Sequence, residues 1–298
     1  MMLLQAAVTT AHPLTNTVAR WVWLLPLLPF VGFLINGWLS IAGSKLGPAD
    51  PNMPHPADHD THGDTALIAR AEDHGAFGDD HHAVKRHRYA GIVSIVGPGV
   101  LVLAFLLAAS IFRAMLGAEM AHPFVQTYFS WMPAGDLKIN AAFQLDQLSM
   151  VMVLVITGVG ALIHIFSIGY MQDDPGYPRY FAYLNLFVFF MLVLVLGANY
   201  PVLFVGWEGV GLCSYLLIGF WFSDKANADA GKKAFIVNRI GDFGFLIAMF
   251  LLFANLGVLD FVGVNAQAGN LVAGGALVTT ICLFLFLGCA GKSAQVPL

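Results

Sequence analysis

The sequence is short of charge: Asp, Glu, Lys and Arg make up 11% of its 298 residues, whereas soluble domains carry about 25%. A water-soluble fold of this size would lack polar surface and is excluded. The net charge of −4 gives no basic surface for a nucleic acid. The sequence has no flavin, iron–sulfur or dinucleotide motif, so no cofactor and no electron transfer are predicted for this chain itself.

Cysteine is also scarce. The three cysteines, Cys213, Cys282 and Cys289, all fall inside apolar segments. No CxxC pair or other metal-ligand spacing is present, which excludes a cysteine-based metal site. We therefore predict that all three are small buried apolar residues.

Long apolar segments dominate the rest, since 58% of the residues are hydrophobic. A membrane-spanning helix needs about 20 largely apolar residues. Seven segments meet this, at 20–43, 90–117, 147–171, 179–198, 201–222, 235–256 and 271–292. The first has no cleavage site and is predicted to be a retained helix. The predicted fold class is an all-α polytopic membrane protein with about seven transmembrane helices.

Lysine and arginine are distributed unevenly between the loops. Ten lie in loops 1, 3 and 5: Lys45, Arg70, Lys85, Arg86, Arg88, Arg179, Lys225, Lys232, Lys233 and Arg239. Three lie at the opposite ends of the spans: Arg20, Arg113 and Lys138. Because cytoplasmic loops carry the excess of Lys and Arg, we predict that loops 1, 3 and 5 are cytoplasmic and the N-terminus is outside.

Two loops are long. Loop 1, about 44–89, holds seven of the ten histidines, namely His55, His59, His62, His74, His81, His82 and His87. It has few apolar residues to bury, which favours a solvated segment without packed structure. The alternative is a metal site on His55, His59, His62, His81 and His82. Loop 2, near 118–146, predicts a β-hairpin on the outer face.

Ionisable residues lie inside several apolar spans, where a charge costs at least ~2.5 kcal/mol, and Glu208 and Lys292 are the leading candidates for function. Glu208 lies in 201–222, among Gly206, Gly209 and Gly211, which permit close approach of another helix. Glu208 is a candidate for proton exchange, and a structural ion pair is the alternative. Lys292 precedes Pro297, which should weaken the helix just beyond the lysine. Lys292 is a relay candidate, and the alternative is snorkelling of its side chain to the cytoplasmic interface.

Other polar residues have simpler interpretations. Arg239 and Asp242 are three residues apart on one helix face and can pair. Asp146 stands at a helix start and is predicted to be a cap. His164 lies alone in an apolar span, where a hydrogen-bonded packing role is favoured over a relay role.

Four segments resemble a known family. Residues 207–220 (WEGVGLCSYLLIGF) and 291–298 (GKSAQVPL) closely resemble the fifth- and seventh-helix signatures of the subunit L (chain 5) family of respiratory NADH–quinone oxidoreductase, complex I. Residues 239–242 (RIGD) and 181–187 (FAYLNLF) also fit. The resemblance runs from about 125 to 298.

The resemblance implies an antiporter-like, inverted-repeat fold of the kind shared with Mrp-type antiporters. It implies that Glu208 pairs across helices with Lys292 in a proton relay, supported by Arg239 and Asp242. It also implies partners in the same bilayer, namely antiporter-like subunits M and N and small membrane subunits. NADH, FMN, iron–sulfur clusters and quinone are expected in partner subunits, and the inner (plasma) membrane is the expected location.

Three regions are predicted on this basis. Residues 1–117 hold the first two transmembrane helices and loop 44–89. Residues 118–200 hold the outer hairpin and helices 3–4, and residues 201–298 hold helices 5–7, the start of the translocating domain. The family continues with further helices, so we expect residues 1–298 alone to insert into a membrane without transporting.

The leading functional hypothesis is a proton-translocating subunit of NADH:quinone oxidoreductase. The alternatives are the large subunit of a multisubunit Na⁺/H⁺ antiporter, and a fragment without activity of its own. A haem enzyme is excluded because only His164 lies within a span, so paired axial ligands are lacking.

Overall fold

A computed structural model describes residues 12–44, 87–135, 137–296 and 298. Within these residues the chain is mostly helical, with one two-stranded sheet. The helices are α1 Leu24–Ser44, α2 Ala90–Leu116, α3 Gln147–Tyr170, α4 Tyr177–Leu196, α5 Tyr200–Ile218, α6 Lys225–Leu256, α7 Phe261–Gln267 and α8 Ala276–Lys292; the strands are β1 Phe124–Ala134 and β2 Leu137–Leu145. Two short 3₁₀ turns lie at Val18–Trp21 and Ala268–Asn270.

Six of the described helices, α1 to α6, are long and apolar enough to cross a membrane. Their positions confirm the first six predicted spans. Helix α6 begins at Lys225, whereas the sequence placed the start of that span at residue 235. The Asp224 carboxylate accepts a hydrogen bond from the Ala226 amide at 2.9 Å, and this cap starts the helix within its charged segment.

The seventh predicted span is shorter than expected, because α8 covers only 17 residues. Residues 271–275 are not helical: Leu271 is extended and Gly274 has a φ of +72°, which favours glycine and interrupts a helix. Before this break lies α7, which the hydropathy pattern did not predict. The Asp260 carboxylate accepts from the Gly263 amide at 2.6 Å and caps this short helix.

Local side-chain chemistry also sets the starts of α3 and α5, and the sequence predicted the Asp146 cap of α3. The Asp146 carboxylate accepts from the Ser149 amide at 2.7 Å, and the Ser149 hydroxyl accepts from the Asp146 amide at 2.9 Å. This reciprocal pair is a capping box. At the start of α5, Asn199 accepts from the Val202 amide at 2.9 Å, and Pro201 lies in the first turn, where its missing N–H costs nothing.

The predicted hairpin is confirmed. Strands β1 and β2 pair antiparallel, from Phe124 opposite Leu145 to Ala134 opposite Leu137, and Gly135 turns the chain with a φ of +59°. Near the start of β1 the phenol of Tyr128 meets the Phe143 ring edge-on. Burial raises the pKa of Tyr128 above its usual value of 10.

The helices form two groups joined through α4. Helices α1 to α4 pack on one another; α5 packs on α4, α6 packs on α5, and α8 packs on α6. Many large apolar side chains point outward, among them Trp38, Leu162 and Phe166. In water this surface would be unfavourable, but in a bilayer it faces lipid.

Two predictions from the sequence, the burial of the cysteines and a metal site in loop 1, have other outcomes. Cys213 is buried as predicted, whereas Cys282 and Cys289 are exposed, so the prediction was wrong for these two. Of the histidines in loop 1, the structure describes only His87; the candidate metal ligands His55, His59, His62, His81 and His82 lie outside the described residues.

Candidate functional site

Three helices bring the predicted ionisable residues into one cluster. Helix α5 supplies Glu208, α6 supplies Arg239 and Asp242, and α8 ends at Lys292. These four residues are up to 84 positions apart in the sequence, so their meeting depends on the packing of α6 between α5 and α8. We call these four residues, together with Trp207, the charged cluster.

Arg239 joins the two carboxylates. Its guanidinium forms an ion pair with Glu208 and a second with Asp242, with Nη2 and Oδ2 3.1 Å apart. The second contact confirms the pairing that the three-residue spacing predicted. The guanidinium also lies over the Phe235 ring at 4.7 Å, a cation–π contact that supports a cation away from bulk water.

Trp207 links the carboxylate side of the cluster to the lysine. Its indole N–H donates to Oδ1 of Asp242 at 2.5 Å, and its carbonyl oxygen accepts from Nζ of Lys292 at 2.9 Å. The lysine Nζ also lies 5.4 Å from the Trp207 ring centroid. Sequence reasoning did not assign this residue a role. Its place beside Glu208 in the 207–220 signature was the available signal.

The structure does not show the direct Glu208–Lys292 pair that the family resemblance implied. Among the described residues, the ion-pair partner of Glu208 is Arg239, and Lys292 hydrogen-bonds a backbone carbonyl. Lys292 interacts electrostatically with Asp242, Arg239 and Cys213. The pairing expectation is therefore corrected: Glu208 of α5 pairs with Arg239 of α6 and not with the lysine of α8.

The position of Lys292 argues against snorkelling. The lysine lies beside Trp207 and against Gly211, both in the middle of α5 Tyr200–Ile218. It therefore ends α8 at the depth of the middle of its neighbour, not at the membrane interface. The helix stops there as predicted, with the Ser293 amide donating back to Cys289 at 2.9 Å and Ala294 at a φ of 51°; Pro297 itself lies outside the described residues.

Glycines make room for the cluster. A Cβ added to Gly211 would lie 2.8 Å from Nη2 of Arg239 and 2.9 Å from Nζ of Lys292, so both cations occupy the space that a side chain would fill. On the other face of α5, a side chain at Gly206 or Gly209 would collide with Leu194 or Phe190 of α4. Helix α5 is thus close-packed on two sides, as the glycine pattern predicted.

The carboxylates differ in exposure. The side chain of Asp242 is 4% exposed, whereas those of Glu208 and Arg239 are 27% and 33% exposed. Asp242 is thus held inside by Arg239 and Trp207, while Glu208 reaches the edge of the chain. Of the two acids, Glu208 is the more exposed.

His164 does not belong to the charged cluster. It lies in α3 and is 1% exposed; Nδ1 is 2.8 Å from the Gly160 carbonyl, and the ring meets Phe181 edge-on. Asn185 lies beside the ring. These contacts fit the packing role that the sequence favoured. In the described part of the chain no group of three or more His, Cys, Asp or Glu could hold a metal ion.

Comparison with known families identifies two matching regions. Residues 131–181 match the N-terminal region of NADH-ubiquinone oxidoreductase (complex I) chain 5. Residues 197–298 match the NADH:quinone oxidoreductase/Mrp antiporter transmembrane family. All members of the charged cluster lie in the second region.

Similar sequences include NADH-quinone oxidoreductase subunit L of Mycobacterium tuberculosis, 49% identical over 205 residues, with 68% of this chain and 32% of the relative covered. Subunit L of Escherichia coli K12 is 44% identical over 222 residues, with 72% and 35% covered. NADH-ubiquinone oxidoreductase chain 5 of Metridium senile is 43% identical, with 68% and 34% covered. The chain spans about a third of the length of these relatives.

Solved structures agree on the fold. The Mrp complex from Dietzia sp. DQ12-45-1b matches with a TM-score of 0.60 at 25% identity, over 70% of this chain and 22% of that one. An archaeal membrane-bound sulfane sulfur reductase matches with a TM-score of 0.56 at 16% identity, over 69% and 30%; the latter likeness concerns the fold alone. The chain therefore belongs to the NADH:quinone oxidoreductase/Mrp antiporter transmembrane family, and its similar sequences are subunit L and chain 5 proteins.

Proposed function

We propose that the chain is a proton-translocating membrane subunit of NADH:quinone oxidoreductase, and that protons pass through Glu208 and Lys292. The observation that carries this proposal is the charged cluster at the middle of a transmembrane helix, in which Arg239 joins two carboxylates and lies close to a lysine. Ionisable groups at this depth are expensive and mark ion pathways in transporters.

Charge balance gives the cluster a means of passing protons. With all four groups ionised, Arg239 and Lys292 balance Glu208 and Asp242. If Lys292 gives up its proton, one negative charge is left over in a site of low polarity, and that charge is relieved when Glu208 takes up a proton. Since Glu208 is the more exposed acid, it is the group that exchanges protons, and Asp242 stays paired with Arg239 and the Trp207 indole.

The remaining residues hold this exchange in place. Arg239 keeps a permanent positive charge between the two acids, because its guanidinium does not lose its proton in proteins. The Trp207 carbonyl fixes the Lys292 ammonium, so a change at the lysine acts on the helix that carries Glu208. We assign 201–298 to the translocating domain, with 1–117 and 118–200 as its supporting regions.

The rest of the reaction belongs to partners in this proposal. Antiporter-like subunits M and N and small membrane subunits would lie beside the chain in the inner (plasma) membrane. NADH, FMN, iron–sulfur clusters and quinone would be bound elsewhere in the complex, and quinone reduction would drive the exchange. The orientation inferred from Lys and Arg places the N-terminus outside and loops 1, 3 and 5 in the cytoplasm.

The test is Glu208→Gln in the assembled complex, reconstituted in liposomes. We expect proton translocation per NADH oxidised to fall by more than half, because glutamine keeps the shape of the side chain but cannot exchange a proton. Glu119→Gln is the matched control, since Glu119 is an exposed glutamate outside the charged cluster. Full stoichiometry in Glu208→Gln would refute the proposal.

A second candidate is the large subunit of a multisubunit Na⁺/H⁺ antiporter, which the likeness to the Mrp complex favours. The two functions differ in their dependence on sodium. An antiporter moves protons against Na⁺ without NADH, whereas the proposed subunit needs electron transfer. Proton flux that requires a Na⁺ gradient and continues without NADH would decide for the antiporter.

A further inference from the structure

Arg179 lies in the first turn of α4 and forms no ion pair with an acidic side chain in the described part of the chain. Its guanidinium carbon lies 4.6 Å from the Phe220 ring centroid and 5.2 Å from that of Phe222. Its one hydrogen bond runs from Nη2 to the Phe220 carbonyl at 3.3 Å, while Nε is buried without a hydrogen-bond partner. Among the described residues no carboxylate lies within 4.0 Å of this guanidinium.

The nearest acidic side chain, Asp174, is already committed. One carboxylate oxygen accepts from the Gly176 amide at 2.6 Å, and the other accepts from the Trp221 indole at 2.8 Å. Asp174 therefore closes the turn before α4, and it lies near Arg179 without forming a direct ion pair with it. A buried donor on an unpaired cation implies a ligand with negative oxygens.

Two pockets meet at this arginine, and both are lined by Arg179 and Tyr183. The first, of about 220 Å³, lies between α4, α5 and α6 and is also lined by Tyr215 and Lys232. The second, of about 490 Å³, is an apolar groove between α1 and α4, and includes Phe33. The cationic pocket and the apolar groove thus adjoin the same two side chains.

We propose that this composite site binds one anionic glycerophospholipid. Its phosphate lies against Arg179 and Lys232, and an acyl chain runs along the groove past Phe33. The guanidinium fork matches phosphate oxygens, and the groove matches a hydrocarbon chain but not a free anion. Lys232 contributes although it pairs with Asp229 at 3.4 Å, because that pair is exposed and weak.

The position of the site favours this ligand. The pocket lies where α4 begins, α5 ends and α6 begins, which is the end of the bundle that carries loops 3 and 5 and their excess of Lys and Arg. Basic pockets between helices on this side of a membrane recognise anionic lipid headgroups. The lipid would connect α1 to α6, and so join the helices of the N-terminal group to those of the charged cluster. This inference is independent of the transported ion.

The experiment is native mass spectrometry of the purified chain, titrated with phosphatidylglycerol or with zwitterionic phosphatidylcholine. We expect one retained phosphatidylglycerol, bound about tenfold more tightly than phosphatidylcholine, a preference of about 1.4 kcal/mol. Arg179→Gln should remove the preference, and Arg179→Lys should retain most of it. Arg113 is exposed near the C-terminal end of α2, away from the proposed site, and Arg113→Gln should leave the lipid preference unchanged.

Two further arms test the apolar half of the site and guard against misfolding. Gly37→Leu fills the groove without changing charge and should weaken lipid binding, with an unchanged thermal unfolding midpoint as evidence of folding. Inorganic phosphate at millimolar concentration should not displace the lipid. Equal lipid preference in Arg179→Gln and Arg113→Gln, or complete displacement by phosphate, would overturn the proposal.

Discussion

At the scale of single residues, the charged cluster depends on a position with no side chain. Gly211 leaves the space in which Nη2 of Arg239 and Nζ of Lys292 lie. Two cations next to each other repel, and they are held together by Asp242 and by the Trp207 carbonyl. A methyl group at this glycine would push one of the two cations away while leaving every ionisable group in the protein.

We therefore predict that Gly211→Ala lowers the rate of proton translocation by roughly tenfold, as small misplacements of reacting groups do. The stability of the helix itself should increase slightly, since alanine favours the helical conformation by about 1 kcal/mol over glycine. Proton uptake by reconstituted complex is the measurement. Gly99→Ala in α2 is the matched control, because a Cβ there meets nothing within 4 Å; equal rates in the two variants would contradict the prediction.

At the scale of elements, a glycine seam holds α8 against α6. A Cβ on Gly241 would lie 3.1 Å from the Leu287 carbonyl oxygen and 3.3 Å from that of Gly288, and a Cβ on Gly291 would lie 3.2 Å from Cα of Gly241. The obstacles are backbone atoms, which cannot move aside as a side chain can. This contact fixes the height of α8 and, with it, the position of Lys292.

Gly241→Val should accordingly force α8 away from α6. Overpacking of this kind costs typically 1–3 kcal/mol, so we expect a lower midpoint of thermal unfolding in detergent together with reduced translocation. Gly169→Val serves for comparison, since Gly169 is exposed in α3 with no atom within 4 Å of an added Cβ. An unfolding midpoint no lower for Gly241→Val than for Gly169→Val would show that the seam is not required.

At the scale of the whole molecule, loop 1 is predicted to be dispensable. Its two flanks lie together, because a Cβ on Gly43, at the end of α1, would lie 2.7 Å from the His87 imidazole. The His87 ring is tilted against the Tyr89 ring, with 6.0 Å between the ring centroids. Burial lowers the pKa of His87 below its usual value, as expected for an imidazole packed against a helix end. A short connection is therefore enough to join α1 to α2.

Deleting residues 50–85 should leave membrane insertion and thermal stability almost unchanged. The closure cost of a loop varies only slowly with its length, and this segment has little apolar surface to bury. The measurement is the unfolding midpoint of the full chain and of the deletion, with zinc binding followed by equilibrium dialysis. Loss of assembly would contradict the prediction, and loss of one tightly bound zinc per chain would support the metal-site alternative.

The sequence by itself determined the elements that follow from local chemistry. Six spans follow from apolar length, the hairpin from alternation around Gly135, and the start of α3 from the Asp146 cap. It also singled out Glu208 and Lys292 as ionisable groups that lipid would not tolerate without a role. Each of these inferences uses residues within one helix or one turn of each other, so no knowledge of packing was needed.

Only the tertiary structure decided which of these groups meet. Arg239, not Lys292, pairs with Glu208, and Trp207 joins the lysine to the acid of the neighbouring helix. Such contacts depend on how three helices that pack through glycines are rotated about their axes and shifted along them. The periodicity of a single helix determines neither the rotation nor the shift. The backbone break at Gly274 shortens α8, and the end of this short helix brings Lys292 level with the middle of α5. Hydropathy did not predict this depth, because it measures how apolar the residues are and does not detect a backbone break.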